Sequence, residues 1–195
     1  MTTQEKIRNY ILSSSDIIRA SVLLAPNIEK SIHAIVKCFK KGNKIVLFGN
    51  GGSAADAQHV AAEFIGRYKI NRKSLPAIAL TSNPSIITAI SNDFSFDSVF
   101  SRQCESLISK GDVVIGISTS GNSLNVKKGI NTSKKNGAVT IGLLGNNGGS
   151  IKKCVDIPLI VDATETSHIQ EAHRIIYHVI CEIVERKLAD SRSKK

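Results

Sequence analysis

Hydrophobic and polar positions follow two regimes along this 195-residue chain. Residues 3 to 24 and 27 to 41 carry apolar side chains near helical spacing, with Pro26 and Gly42 as punctuation, and predict two leading helices. Beyond them, short and nearly continuous apolar runs alternate with longer amphipathic ones. The runs KIVLFG (44–49), PAIAL (76–80), DVVIGI (112–117), AVTIGLL (138–144) and DIPLIV (156–161) predict strands. Helical patterns fall between them at about 53–66, 84–91, 97–109, 122–136 and, briefly, 149–154. A long final helix is predicted over 167–189. Strands that are apolar throughout and separated by helices indicate a parallel sheet covered on both faces. The expected fold class is therefore α/β: a doubly wound, five-stranded parallel sheet of flavodoxin-like order 2-1-3-4-5, with extra N-terminal helices and a long C-terminal helix. The chain fits one domain over 1–195, divided into a leading helical segment (1–42), the α/β core with its last helix (43–189) and a basic tail (190–195).

In that strand order the carboxyl ends of the first and third strands flank the topological switch point, where ligands bind. These two ends carry GNGGS and STSGNS. In the first, Gly49, Gly51 and Gly52 allow tight backbone geometry and close approach of a ligand, and Ser53 sits where a helix N-cap is expected. Free N–H groups at a helix start, at the positive end of its dipole, suit a phosphate without a lysine. In the second, Ser118, Thr119, Ser120 and Ser123 supply hydroxyls around Gly121, just before another helix. Either turn alone reads equally well as helix capping, with Ser120 or Asn122 capping the second helix. Two such turns at one switch point point to a phosphorylated small molecule.

His59 and Glu63 are four residues apart on the helix that follows GNGGS, so they share a face one to three turns from the phosphate turn. The final helix adds Gln170, His173 and His178, the last inside the apolar run IIYHVI, where an imidazole is costly unless partnered. Gln170 and His178 are eight residues apart, or about 12 Å at helical rise. Either they contact different parts of a ligand, or a metal sits midway between them, or another subunit contributes. His59, Glu63, Gln170 and His178 form a mixed nitrogen and oxygen set able to hold Zn²⁺ or a similar divalent ion, although no compact HExxH motif is present.

Charge and cysteine content change this picture little. Cys38, Cys104, Cys154 and Cys181 are widely spaced and form no CxxC pair, which speaks against a disulfide framework or a thiolate zinc site and for a cytosolic chain with reduced thiols. No apolar run approaches the ~20 residues that span a bilayer, and the N-terminus lacks a signal-peptide pattern, so no membrane role is expected. A formal charge of +10 invites a nucleic-acid reading. The basic residues are scattered, however, without aromatic interleaving or a known binding signature, so no nucleic-acid partner is expected.

GNGGSAADAQHVAAEFIGRY, SNDFSFDSVFSRQ, GDVVIGISTSGNS and HIQEAHRIIYHVICEIVE resemble the phosphoheptose isomerases of the sugar isomerase (SIS) fold, and the likeness covers roughly residues 5 to 188. The resemblance implies substrate contacts from Asn50, Gly51, Gly52, Ser53, Glu63, Asn92, Asp93, Ser118, Thr119, Ser120, Ser123 and Gln170, with Glu63 and His178 as the acid/base pair. Zinc-binding members of the family use positions matching His59, Glu63, Gln170 and His178, which implies one Zn²⁺ per subunit. The implied reaction converts a phosphorylated seven-carbon sugar, D-sedoheptulose 7-phosphate, into D-glycero-D-manno-heptose 7-phosphate, the first step towards the heptose of lipopolysaccharide or related surface glycans. The family also implies a cytoplasmic homotetramer, with the segment 1–42 in a central helical interface and active sites between subunits. The competing reading is a non-catalytic SIS module that senses a phosphosugar, of the DnaA initiator-associating kind. Those relatives lack the pair matching Glu63 and His178. Glu165, where many relatives have aspartate, departs from the family pattern, while Thr166 is retained.

Overall fold

The computed structural model describes residues 1–190. Helix α1 (Thr3–Ala20) starts in a capping box: the Thr2 hydroxyl accepts from the Glu5 backbone N–H at 3.2 Å, and the Glu5 carboxylate accepts from the Thr2 N–H at 2.6 Å. A 3₁₀ turn (Ser21–Leu24) leads directly into α2 (Ala25–Lys40). Pro26 therefore opens α2 rather than separating two helices, because its missing N–H is one that the first turn leaves unpaired anyway. The first helix correspondingly stops at Ala20, short of the predicted 24.

Five parallel strands follow: β1 (Ile45–Gly49), β2 (Ala77–Ala79), β3 (Val113–Ser118), β4 (Val139–Leu144) and β5 (Ile157–Ile160), in the order β2-β1-β3-β4-β5. The predicted fold class and order hold. Leu47 on β1 pairs with Ala79 on one side and Ile115 on the other, and β4 continues the sheet through Ile141 opposite Ile115. Along β1 the side chains alternate between two cores. Ile45 and Leu47 face a layer with Ile35 of α2, Val60 of α3 (Gly52–Ile65) and Ile176 of α7 (Thr166–Asp190). Val46 and Phe48 face Phe100 of α5 (Val99–Leu107) and Ile130 of α6 (Leu124–Lys135). The helix α4 (Pro84–Asp93) lies between β2 and α5 in the chain.

Two expectations need correction. The stretch 149–154 is a run of turns rather than a helix. Gly148 and Gly149 enter it at positive φ (84° and 51°), and the Ile151 N–H is drawn to the Gly121 carbonyl at 3.0 Å, which fastens the segment to the hydroxyl-rich loop. Strand β2 is also only three residues long, because Pro76 at its start cannot donate to the ladder and instead accepts from Ile45 through its carbonyl. Among the described residues no helix is long and apolar enough to cross a membrane. Residues 191–195 of the expected basic tail lie outside them.

Candidate active site

The chain leaves β1 through Asn50 and enters α3 by way of Gly51, whose φ of 54° and ψ of −123° suit glycine. Gly51 takes the N-cap position, so Ser53 is inside the first turn and buried rather than the cap expected from sequence. Gly52 has a different reason to be glycine. A Cβ there would lie 2.4 Å from Gln170 Nε2, so the bare backbone lets a side chain of α7 rest on the start of α3. The Ser53 N–H donates to the Asn50 carbonyl at 3.0 Å, which leaves the N–H groups of Gly51 and Gly52 to meet an anion.

The second loop turns its hydroxyls on one another. Ser118 Oγ, at the end of β3, lies 3.0 Å from Ser123 Oγ and 3.4 Å from Ser120 Oγ, while Ser120 Oγ accepts the Asn122 N–H at 3.1 Å. Ser123 holds the N-cap position of α6 without capping it through its side chain. The two loops are joined by a residue that sequence reasoning missed. Asn125, buried in the first turn of α6, exchanges both amide hydrogen bonds with Asn50, at 2.9 and 3.0 Å. An asparagine in the first turn of the helix just past a hydroxyl-rich loop was the available signal.

One helical face of α3 carries His59 and Glu63, with Nε2 and Oε1 3.1 Å apart. From α7, His178 brings its Nε2 to 3.3 Å from His59 Nε2. The Tyr68 ring lies 5.7 Å from that of His178, and Tyr177 meets His178 edge-on at 4.8 Å. Burial and the neighbouring His59 lower the His178 pKa against the opposing pull of Glu63, so the imidazole is neutral at pH 7 and free to accept or pass a proton. Gln170, from the start of α7, lies against Gly52, near the phosphate turn. Asn92 and Asp93, at the exposed end of α4, hydrogen-bond to each other at 2.9 Å and to none of the other candidates.

The donor chemistry of His59, Glu63 and His178 suits zinc, and the 3.1 and 3.3 Å separations approach the ~3.3 Å between neighbouring ligands of a tetrahedral ion with ~2.0–2.1 Å bonds. Among the described residues, however, no three His, Cys, Asp or Glu side chains converge on one point as a metal-ligand group. The three side chains instead form a chain of contacts from Glu63 through His59 to His178.

Polar contacts hidden from sequence fix this geometry. The Asp56 carboxylate, 2% exposed on α3, accepts from the Tyr177 hydroxyl at 3.1 Å and from Arg174 Nη2 at 3.3 Å. Burial, then the Asp56 charge, pushes the Tyr177 hydroxyl up to about 12, so it remains a donor. Further along α7, Glu185 accepts three backbone N–H bonds, from Tyr68 (3.0 Å), Lys69 (2.7 Å) and Ile70 (2.8 Å). Burial alone would raise its carboxyl, but these donors and Arg72 together hold it below the usual range. Arg72 Nε stands 2.9 Å from Glu185 Oε1 as an ion pair, its N–H out of line for a hydrogen bond, while the rest of the guanidinium donates to the carbonyls of Glu63 and Phe64, both at 2.8 Å.

His173, the other histidine of this helix, is packed into the core. Burial lowers its pKa to about 4, opposed only weakly by the Leu144 carbonyl and Asp56. An unfolded imidazole titrates near 6.5, so below that pH the unfolded chain binds a proton that the folded chain refuses. Stability is expected to fall as pH drops from about 6.5 to about 4, by up to roughly 3 kcal/mol. Denaturant titrations across that window should show His173→Phe with a shallower slope, and an identical slope would acquit His173.

These features define a class. Residues 9–145 match the sequence model of the SIS domain family. Phosphoheptose isomerase of Citrifermentans bemidjiense is 53% identical over 165 residues, 85% of this chain and 86% of that protein, and the one from Geotalea daltonii is 45% identical over 96% and 98% of the two chains. Solved structures of phosphoheptose isomerases from Neisseria gonorrhoeae (37% identity, TM-score 0.90) and Francisella tularensis (33%, 0.92) each superpose on 95% of this chain and all of theirs. The chain belongs to the phosphoheptose isomerase family.

Proposed function

We propose that this enzyme interconverts D-sedoheptulose 7-phosphate and D-glycero-D-manno-heptose 7-phosphate, an aldose–ketose isomerisation through an enediol that opens the route to the heptose of surface glycans. The observation that carries the reading is the meeting of Glu63 with His178, through His59, on the helix that begins at the phosphate turn. The phosphate is held by the backbone of 50–53 and the hydroxyls of Ser118, Thr119, Ser120 and Ser123, and the sugar then extends along α3. Glu63 takes the carbon-bound proton and His178, neutral at pH 7, serves the two oxygens. Gln170 contacts the sugar near Gly52, and Asn92 with Asp93 completes the substrate set. Incubation with sedoheptulose 7-phosphate and product analysis should yield the aldose isomer; its absence under conditions where phosphate binds would reject the reading.

Zinc belongs to this proposal through His59, Glu63, Gln170 and His178. When bound it would polarise the carbonyl and steady the enediolate charge. Chelation followed by metal analysis is expected to cost activity that Zn²⁺ restores, and full turnover by metal-free protein would dismiss the ion. A cytoplasmic homotetramer is part of the same reading. Its support is the apolar groove of about 490 Å³ between α1, α2 and α7, lined by Ile18, Val22, Ile28, Ile175, Val179 and Ile183. Sedimentation of the purified protein tests the assembly.

Asn125 should matter to binding rather than to the chemical step. Asn125→Ala leaves Asn50 without its partner and is expected to raise the KM roughly 3- to 10-fold at nearly constant kcat. A changed kcat at constant KM would contradict a loop-spacing role.

A further inference from the structure

Resting on the isomerase reading, we propose that Asp56, Tyr177 and Arg174 form a clamp across the crossing of α3 and α7 that holds His59 and His178 in contact, and that Tyr177 and Asp56 are positioning residues for the reaction.

The three side chains close a triangle. The Tyr177 hydroxyl donates to Asp56 Oδ1 at 3.1 Å, Arg174 Nη2 reaches the same oxygen at 3.3 Å, and Arg174 Nε donates to the Tyr177 oxygen at 3.1 Å. Asp56 and Tyr177 are 2% and 3% exposed. Burying a carboxylate at a helix crossing costs stability unless it is fully paired, and an apolar pair of similar volume would pack the two helices at least as firmly. What a directed hydrogen bond adds is a fixed register, and its place decides what that register serves. Asp56 is one turn before His59 on α3, and Tyr177 is the residue before His178 on α7. The clamp is therefore one turn from the 3.3 Å contact between the two imidazoles.

His59 cannot supply that precision alone. Its side chain is 41% exposed, and its polar contacts are Glu63 on its own helix and His178. The Tyr177 ring stands between the two elements, 5.5 Å from the His59 ring and 4.8 Å from that of His178, so a shift of Tyr177 moves both.

Tyr177→Phe keeps the ring and deletes the hydroxyl. It is expected to lower kcat about tenfold with the KM unchanged, because the loss falls on alignment and not on the phosphate anchor. Asp56→Asn, which still accepts the Tyr177 hydroxyl, should retain more activity than Asp56→Ala. A crystal structure of Tyr177→Phe gives a readout independent of turnover, with the His59–His178 separation expected to lengthen by about 1 Å, a displacement of the size that costs activity. An unchanged separation overturns the clamp whatever the rate, and a lengthened one with kcat within twofold of wild type overturns the positioning role. If the wild-type enzyme does not turn over sedoheptulose 7-phosphate, the isomerase reading fails by itself, and the crystallographic distance still decides whether the clamp exists.

Discussion

Glu63→Gln is expected to lower kcat by about 10²-fold or more while leaving the KM within a few-fold of wild type. The amide keeps the shape of the carboxylate and can still meet His59, now 3.1 Å from the Glu63 oxygen, but it cannot take a proton from carbon. The phosphate anchor is untouched, because Gly51, Gly52 and Ser53 sit more than two helical turns away on the same helix. Steady-state kinetics on the seven-carbon ketose phosphate decide the matter. A near-normal kcat would take Glu63 out of the proton transfer and leave His178 as the base.

Removing the guanidinium of Arg72 should have the largest effect on the fold. Arg72 and Glu185 are a buried pair, 6% and 1% exposed in their side chains, and each also satisfies backbone groups. Arg72→Ala strands the Glu185 carboxylate and takes the guanidinium donor from the Glu63 carbonyl, while the Phe64 carbonyl keeps the Leu75 N–H, at a cost of about 3–5 kcal/mol. Activity should fall as well, since the segment that carries Tyr68 over His178 and the end of α3 that carries Glu63 lose the same tie. Equilibrium unfolding tests the first part, and a loss below 1 kcal/mol would show that solvent or a neighbouring group replaces Arg72.

The sheet was legible because its signal is local. Each strand is a short apolar run with a helix pattern after it, and the order β2-β1-β3-β4-β5 follows from how such units wind. Local signals also explain the two misplacements near the site. Ser53 has the side chain of a cap, but Gly51 can take positive φ and starts the helix earlier. The stretch 149–154 has a helical spacing of apolar residues, yet two glycines and a hydrogen bond to Gly121 hold it in turns.

Donor chemistry alone put His59 and His178 in one candidate set, but their direct contact was not readable along the chain, because 119 residues separate them. Spacing along α7 raised the question of how Gln170 and His178 could share a centre, and the packing of Gln170 on Gly52, across two helices, was invisible to it. Asp56, Tyr177, Arg72 and Glu185 stayed hidden for a related reason. A charged or phenolic residue in an amphipathic helix, or in a polar loop such as that of Arg72, reads as solvent-facing until its partner on another element is known. Glu185 did carry a clue, since seven residues place it two turns after His178 on the same face of α7.

In the proposed reaction, the anchor for the phosphate and the carboxylate that works on carbon are borne by one rigid rod. From Ser53 to Glu63 is ten residues, about 15 Å of rise, shortened by a side chain that leans back towards the helix start. A helix does not stretch, so α3 acts as a ruler graduated in carbon atoms. Five-carbon ketose phosphates, gripped at the same turn, would stop short of Glu63, and comparing their turnover with that of the seven-carbon sugar reads the scale directly.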